Sequence, residues 1–196
     1  VKFDLFKKYG WIAAAGDRHL AEFMPPIYLK DPETVASWKF GLTTVAWRKE
    51  DLKNRLEKSK KLVSGEEKVE LIPSGEEGIL LIKALCGLTR MISNVNIPNT
   101  AGQIRASAVV ETNAVFSRDS IAPIFAGNLT EDIKQLMLPH VMNHEDVLKA
   151  ALTCDYDIML RAFRRDPLVT CSKDDADKQL RTMIPNTKKY LPDGWN

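Results

Sequence analysis

Apolar residues recur along this chain at steps of three and four, interrupted near the middle by strict alternation. The helical spacing is clearest in the last third. There Leu148, Leu152, Tyr156, Leu160 and Phe163 advance by four, four, four and three, the spacing of one buried helix face. Asn143 predicts the cap of that helix and Asp166-Pro167 its end. Thr130 predicts the cap of a preceding helix that contains Ile133, Leu136 and Met137, and a shorter helix, about 173–183, follows.

At the other end, Phe3 to Tyr9 reads as a helix closed by Gly10. Residues 10–31 read as a loop with a short helix begun at His19 and ended by Pro25 and Pro26. Residues 32–63 read as one long helix or two joined ones, entered through Asp31-Pro32. Val35, Trp38, Leu42 and Val45 would form its buried stripe, weakened by Gly41. Lys68 to Ile72 predicts a short strand, residues 76–89 a mostly buried helix, and Ile92 to Ile97 a strand that runs into a turn at 98–102.

Period two is strongest over residues 103–116. Ile104, Ala106, Ala108, Val110 and Thr112 share one face; Arg105, Ser107, Val109, Glu111 and Asn113 share the other. That polar face either meets water or lines a pocket. The sum is an α+β chain, α-rich with a modest sheet, forming one domain over 1–196.

Composition narrows the function classes. With 196 residues, 44% apolar and 28% charged, the chain has the content of a folded domain. A net charge of +2 is too balanced to imply a nucleic-acid or acidic-membrane partner by itself. Arg48 to Lys61 holds seven basic and three acidic residues, read as a solvated face or a patch for an acidic partner. No aromatic residues interleave them for base stacking. No apolar run approaches the ~20 residues that span a bilayer, and no signal-peptide pattern is visible, so a cytoplasmic protein without a membrane partner is expected. Cys86, Cys154 and Cys171 give neither a disulfide framework nor a zinc spacing, and are expected as buried thiols. The absence of a leading Met points to a fragment with sequence removed upstream.

The sharpest local chemistry is Asp17-Arg18-His19-Leu20-Ala21-Glu22. An imidazole beside two carboxylates and a guanidinium can carry a proton near neutral pH, or can be a salt-bridged surface loop. Arg18 can grip an anionic group through its planar fork. His140 and His144 stand four apart, but a third metal ligand is missing, and Pro139 with Asn143 favours a helix boundary and a packing or capping role. Asn94, Asn96 and Asn99 can serve sugar hydroxyls or make Asx turns. No glycine-rich dinucleotide or phosphate loop, HExxH or GxSxG occurs.

These segments, taken in order, resemble the C-terminal part of a glycoside hydrolase family 4 enzyme. The resemblance runs from the Phe3–Gly10 helix through GDRHLAEFMP at 16–25, NVNIPNTAGQI at 94–104 and VVETNAVF at 109–116. It continues in the Ala126–His140 segment and in RRDPLV at 164–169, and so covers nearly the whole chain. GDRHLAEF together with VVETNAVF looks most like the α-galacturonidase branch, with α-glucuronidase and α-galactosidase members behind.

The resemblance implies a C-terminal substrate and oligomerisation domain with a small, mostly antiparallel sheet. The N-terminal Rossmann domain and the Cys and His that hold the metal, usually manganese, would lie outside the chain. It implies an NAD- and Mn²⁺-dependent glycosidase that oxidises C3 of the sugar, removes the C2 proton and breaks the C1–O bond by elimination. The substrate would be an α-linked uronic acid saccharide and the enzyme a dimer or tetramer. His19 stands where phospho-glycosidase members place the tyrosine that acts as C2 base, with Asp17 and Glu22 orienting or tuning it. Asn96 and Asn99 match the family's asparagine-bearing loop near the substrate, and Glu111 the glutamate of the next strand.

Arg18 is assigned to a uronate carboxylate by charge alone. Where members commonly show Asn-Leu-Pro, this chain has Arg105-Ala106-Ser107, and Arg105 is a second candidate for the acidic group. The alternatives are the same chemistry on α-glucuronides or neutral α-galactosides, or a non-catalytic binding or assembly domain. The chain alone is expected to be inactive.

Overall fold

A computed structural model of the chain describes residues 1–99, 104 and 108–195. The chain folds as two compact units. The first comprises Val1–Phe40, Ile97–Val110 and Gly127–Asn196; the second comprises Gly41–Asn96 and Glu111–Ala126.

In the first unit, α1 (Lys2–Tyr9) ends at Gly10, whose φ of 73° is left-handed and whose N–H closes onto the Phe6 carbonyl. Two short helices follow, α2 (Asp17–Ala21) and α3 (Pro25–Tyr28). Pro25 and Pro26 therefore start a helix, at first-turn positions where a missing N–H leaves no bond unmade. Asp31 caps α4 (Pro32–Ser37) by accepting from the Thr34 N–H at 2.7 Å. Leu5, Leu20, Ala21 and Tyr28 form the core of this region, with Trp38 packed against it. The Tyr28 ring is 1% exposed, meets Trp38 edge-on at 5.0 Å, and donates its hydroxyl to Asp4 Oδ2 at 2.7 Å.

The stripe expected through Val45 does not form. The chain leaves the helix at Trp38, Lys39 takes a left-handed φ of 58°, and Leu42 and Val45 are exposed. A separate helix, α5 (Val45–Ser64), starts in the second unit after Thr44, whose hydroxyl accepts from the Trp47 N–H. None of its residues is buried.

Residues 68–72 form no strand; Val69, Leu71 and Ile72 lie exposed without a partner strand among the described residues. Over 76–89 the helix expected as mostly buried is α6 (Gly78–Leu85), and it buries only Ala84. Its apolar content exceeds what this unit can cover: Ile79, Leu80 and Ile82 are exposed.

The sheet has the order β1-β2-β3, with β1 at Met91–Pro98, β2 at Val109–Ser117 and β3 at Ser120–Pro123. β2 and β3 pair antiparallel, with Ser117 opposite Ser120 across a tight turn at Asp119, φ 53°. The expected alternation holds on β2: Ala114 and Phe116 are buried against Ala84, while Val109, Glu111 and Asn113 are exposed. Most of the strand expected over 103–108, including Arg105, lies outside the described residues.

Helix α7 (Glu131–Thr153) corrects two expectations. It runs unbroken through Pro139, so Asn143 is a buried mid-helix residue and not a cap. One lost backbone bond at Pro139 is offset by packing along α8 (Tyr156–Arg165). The expected continuous stripe is cut at Cys154, left-handed at φ 54°, and Asp155 caps α8 anew through the Ile158 N–H. Leu148 and Leu152 are exposed; Ile158 and Ala162 carry the buried face of α8. α9 (Lys173–Thr187) begins at a Ser172 cap and runs past the expected end, through Pro185. The cysteines also differ from expectation: Cys86 and Cys171 are exposed and Cys154 is half-buried.

Tyr28→Phe removes the phenol from Asp4 while keeping the ring. It is expected to destabilise the fold by about 1–2 kcal/mol in thermal or urea unfolding; an unchanged midpoint would show that Asp4 is as well served by water.

Candidate functional site

The five residues of α2 turn one side into the core and the other outward. Leu20 and Ala21 pack with Leu5 and Tyr28, so His19 and Glu22 are exposed, and Asp17 and Arg18 are half-buried. Glu22 N–H donates to the His19 carbonyl at 3.3 Å, continuing the turn. Asp17 points elsewhere: its Oδ1 accepts the Lys2 N–H at 2.7 Å, capping α1 from outside that helix. This bond, foremost, holds the Asp17 carboxyl below the usual carboxylate range. The structure thus gives Asp17 a tethering contact, and presents the His19 ring to solvent.

Asn94 and Asn96 occupy the exposed face of β1 in place of the Asx turns that local sequence allowed. Asn94 Nδ2 lies 3.5 Å from Glu111 Oε1 on the neighbouring strand, a long contact on the same polar face. Asn99, in the first unit, is buried, and its N–H donates to the Ala108 carbonyl at 2.8 Å. Asp17, Arg18, His19, Glu22 and Asn99 therefore belong to the first unit, and Asn96 and Glu111 to the second.

The structure adds a group that sequence reasoning set aside. His140 on α7 faces the Phe23 ring at 4.5 Å, at a tilt of 55°. Its Nε2 is buried and has no hydrogen-bond partner among the described residues. Burial pushes its pKa below the ordinary histidine value, against the opposing charges of Asp166 and Glu22. His140, Asn143, His144 and Asp166 form the polar side of a cleft of about 770 Å³, whose remaining wall is apolar. The i, i+4 spacing of the two histidines was the available signal; Pro139 masked it by arguing for a helix break.

An ionic clamp joins α7 to α8. Asp146 on α7 takes two bonds from Arg161 on α8, at 2.6 and 3.0 Å, and one from Arg165 at 2.9 Å. Arg165 also donates to Asn143 Oδ1 at 3.2 Å. Among the described residues no group of three His, Cys, Asp or Glu side chains could hold a metal ion. The described residues therefore do not build a metal centre by themselves. No described helix is long and apolar enough to cross a membrane.

Residues 1–169 match the family model for the family 4 glycosyl hydrolase C-terminal domain. The chain belongs to that family. It is 61% identical to an α-galacturonidase of Lachnoclostridium phytofermentans, over all of this chain and 43% of the relative. It is 59% identical to an α-galacturonidase of Thermoanaerobacterium saccharolyticum, over all of this chain and 42% of the relative. The chain thus spans a little over two-fifths of the length of these curated relatives.

Among solved structures, lplD from Bacillus subtilis superposes with a TM-score of 0.83 at 43% identity, over 93% of this chain and 42% of that one. The fold is shared more distantly by a 6-phospho-β-glucosidase from Thermotoga maritima, solved with manganese, NAD⁺ and glucose-6-phosphate. There the TM-score is 0.68 at 16% identity, over 95% of this chain and 44% of that one. The α-rich domain with a small antiparallel sheet expected from sequence is the one found.

Arg161, with Arg165 behind it, holds the Asp146 carboxyl at about 2, below its ordinary 3.8. A carboxyl lowered on folding contributes stability above its ordinary pKa and loses it as pH falls through the folded value. Asp146→Asn should therefore lower the melting temperature near neutral pH and flatten the loss of stability between about pH 4 and pH 2, as read by thermal unfolding across pH.

Proposed function

We propose that this chain is the C-terminal part of an NAD- and manganese-dependent glycosidase that hydrolyses α-linked galacturonides, acting in the cytoplasm as a homo-oligomer. The observation that carries the reading is 61% and 59% identity, along the whole chain, to two proteins named α-galacturonidase. The reaction class is oxidation at C3 of the sugar, loss of the C2 proton and elimination of the leaving group. The described residues do not form a holding set for the metal, and the sequence carries no glycine-rich dinucleotide loop. What this chain supplies is substrate binding and proton transfer.

His19 is the C2 base. Its support is an exposed imidazole on a helix anchored through Leu20, Ala21 and the Asp17 tether, so that the ring is accessible while its backbone is fixed. Asp17 is best read as positioning α2, and Glu22 as setting the local charge. Arg18, half-buried beside His19, is the cation for the uronate carboxylate, and Arg105 assists it on the sequence argument alone. Asn96, Asn99 and Glu111 serve sugar hydroxyls as amide and carboxylate partners.

The test uses the complete protein encoded by the gene, assayed with NAD⁺, Mn²⁺ and p-nitrophenyl α-galacturonide. Release of nitrophenol that requires both cofactors is the expected result. His19→Ala should lower kcat by roughly 10²–10⁴-fold and abolish exchange of the C2 proton with deuterated solvent. Arg18→Met should raise KM for the uronide far more than for the matching α-galactoside. Equal losses on the two substrates would sink the uronate assignment, and C2 exchange that survives His19→Ala would sink the base.

A further inference from the structure

α2 is held at its start by Asp17 and along its inner face by Leu20 and Ala21. Its other end is held by a side chain that the chemistry proposed above leaves unused. Phe23 continues the same turn, its N–H donating to the Leu20 carbonyl at 3.2 Å. Its ring packs on the His140 imidazole of α7, with the centroids 4.5 Å apart. This contact ties the turn that carries His19 to the long helix of the same unit.

An apolar side chain would make such a contact at less cost. His140 Nε2 is buried with no hydrogen-bond partner among the described residues, and an unmet buried polar atom costs stability. How much it costs depends on charge. A neutral imidazole can carry its proton on Nδ1 and leave only a bare lone pair at Nε2. An imidazolium puts a charged N–H there, facing no acceptor. The Phe23 ring face attracts a cation, but it does not replace a hydrogen-bond acceptor for a charge taken out of water.

Charged groups face His140 from each element around it. Glu22 at the end of α2 and Asp166 at the end of α8 favour the charged form, and His144, one turn on along α7, opposes it. Arg165 of α8 donates to Asn143 on α7 and is paired with Asp146. Neither carboxylate bonds Nε2, and Asp166 Oδ1 already accepts the Leu168 N–H at 2.9 Å. Burial outweighs both carboxylates, so the ring stays neutral where an ordinary histidine has begun to charge. To reach a carboxylate or the water of the cleft, a charged Nε2 must leave its buried position, and the ring then leaves Phe23.

We propose that His140 is a positioning residue for α2: its neutral imidazole holds Phe23, and with it the turn bearing His19, and releases that turn when it takes a proton. The use of this hold rests on His19 as the base; the hold itself is tested without any sugar. Linkage gives the sign. A histidine whose pKa is lowered in the closed state takes its proton more readily when the turn is open, so closure is favoured above the ordinary value and weakens as pH falls below it. At about pH 5.5, one unit below the ordinary 6.5, opening gains by up to about tenfold.

Hydrogen exchange of the complete encoded protein, read by peptide mass spectrometry at about pH 7.5 and about pH 5.5 and corrected for intrinsic rates, tests it. Protection over residues 17–24 should fall by up to about tenfold at the lower pH, while protection over α9, in the same unit, holds. In His140→Phe, which keeps a ring against Phe23 without a titrating nitrogen, the fall should disappear. A wild type whose α2 loses no more protection than α9 overturns the proposal before any variant is made. So does a His140→Phe protein of wild-type circular dichroism that loses protection as the wild type does. The ratio of kcat at the lower pH to kcat at the higher should also be larger in His140→Phe than in the wild type. Equal ratios beside the expected exchange pattern overturn the link from this turn to catalysis, while His19 as base answers separately to the His19→Ala experiment.

Discussion

Tyr28 is 1% exposed, and its phenol cannot lose water without a replacement partner. Asp4 supplies that partner from α1, and Trp38 closes over the ring from the end of α4. One side chain at the end of α3 therefore fixes the places of α1 and α4 together. α2 lies within the same packing through Leu20 and Ala21, and its first residue, Asp17, reaches back to cap α1. The stretch with the densest candidate chemistry in the sequence is thus held at both its ends. His19 takes its position from these contacts and not from the intrinsic stability of a five-residue helix, which would be negligible alone.

The two units use apolar residues differently. In the first, apolar positions at helical spacing converge on shared clusters, and Ile158, Ala150 and Trp195 form a second one around the ends of α7 and α8. In the second, the buried cluster is only Ala84, Ala114 and Phe116 among the described residues, while α5 buries nothing and α6 a single alanine. Apolar side chains left in water contribute no burial free energy to the chain that carries them. In the second unit they are spread over α5, the segment after it, α6 and the sheet.

The helices whose ends carry local chemistry were legible in the sequence. Asp31-Pro32 and Gly10 marked boundaries that the structure keeps, because a cap acts within a few residues of itself. What failed was the step from period to burial. Leu42, Val45, Leu148 and Leu152 have core-like spacing, yet all are exposed. A period says which residues share a face and nothing about what covers that face. Pro139 misled in the opposite sense: its local cost argued for a break, and packing of α7 along α8 overrode it. In the candidate site, His19, Arg18 and Glu22 were legible as neighbours on one turn. The tether on Asp17 and the placing of His140 against Phe23 were not, because each joins residues far apart in the chain.

Two of the three histidines of the first unit, His19 and His140, show why proximity of residue types is too weak a guide to a base. A group that takes a proton from a substrate must be reachable by it and must tolerate becoming charged. His140 meets these conditions less well: it lines the cleft, but its Nε2 is buried without a partner among the described residues, and burial disfavours its charged form even with Asp166 and Glu22 nearby. His19 stands in water on a fixed turn, with Arg18 beside it and the Asp17 carboxylate already committed to α1. The His19 imidazole is exposed in this chain on the same turn as the half-buried Arg18. Accessibility and anchoring together, more than the carboxylates that first drew attention to this stretch, make His19 the residue on which the proposed chemistry of this chain turns.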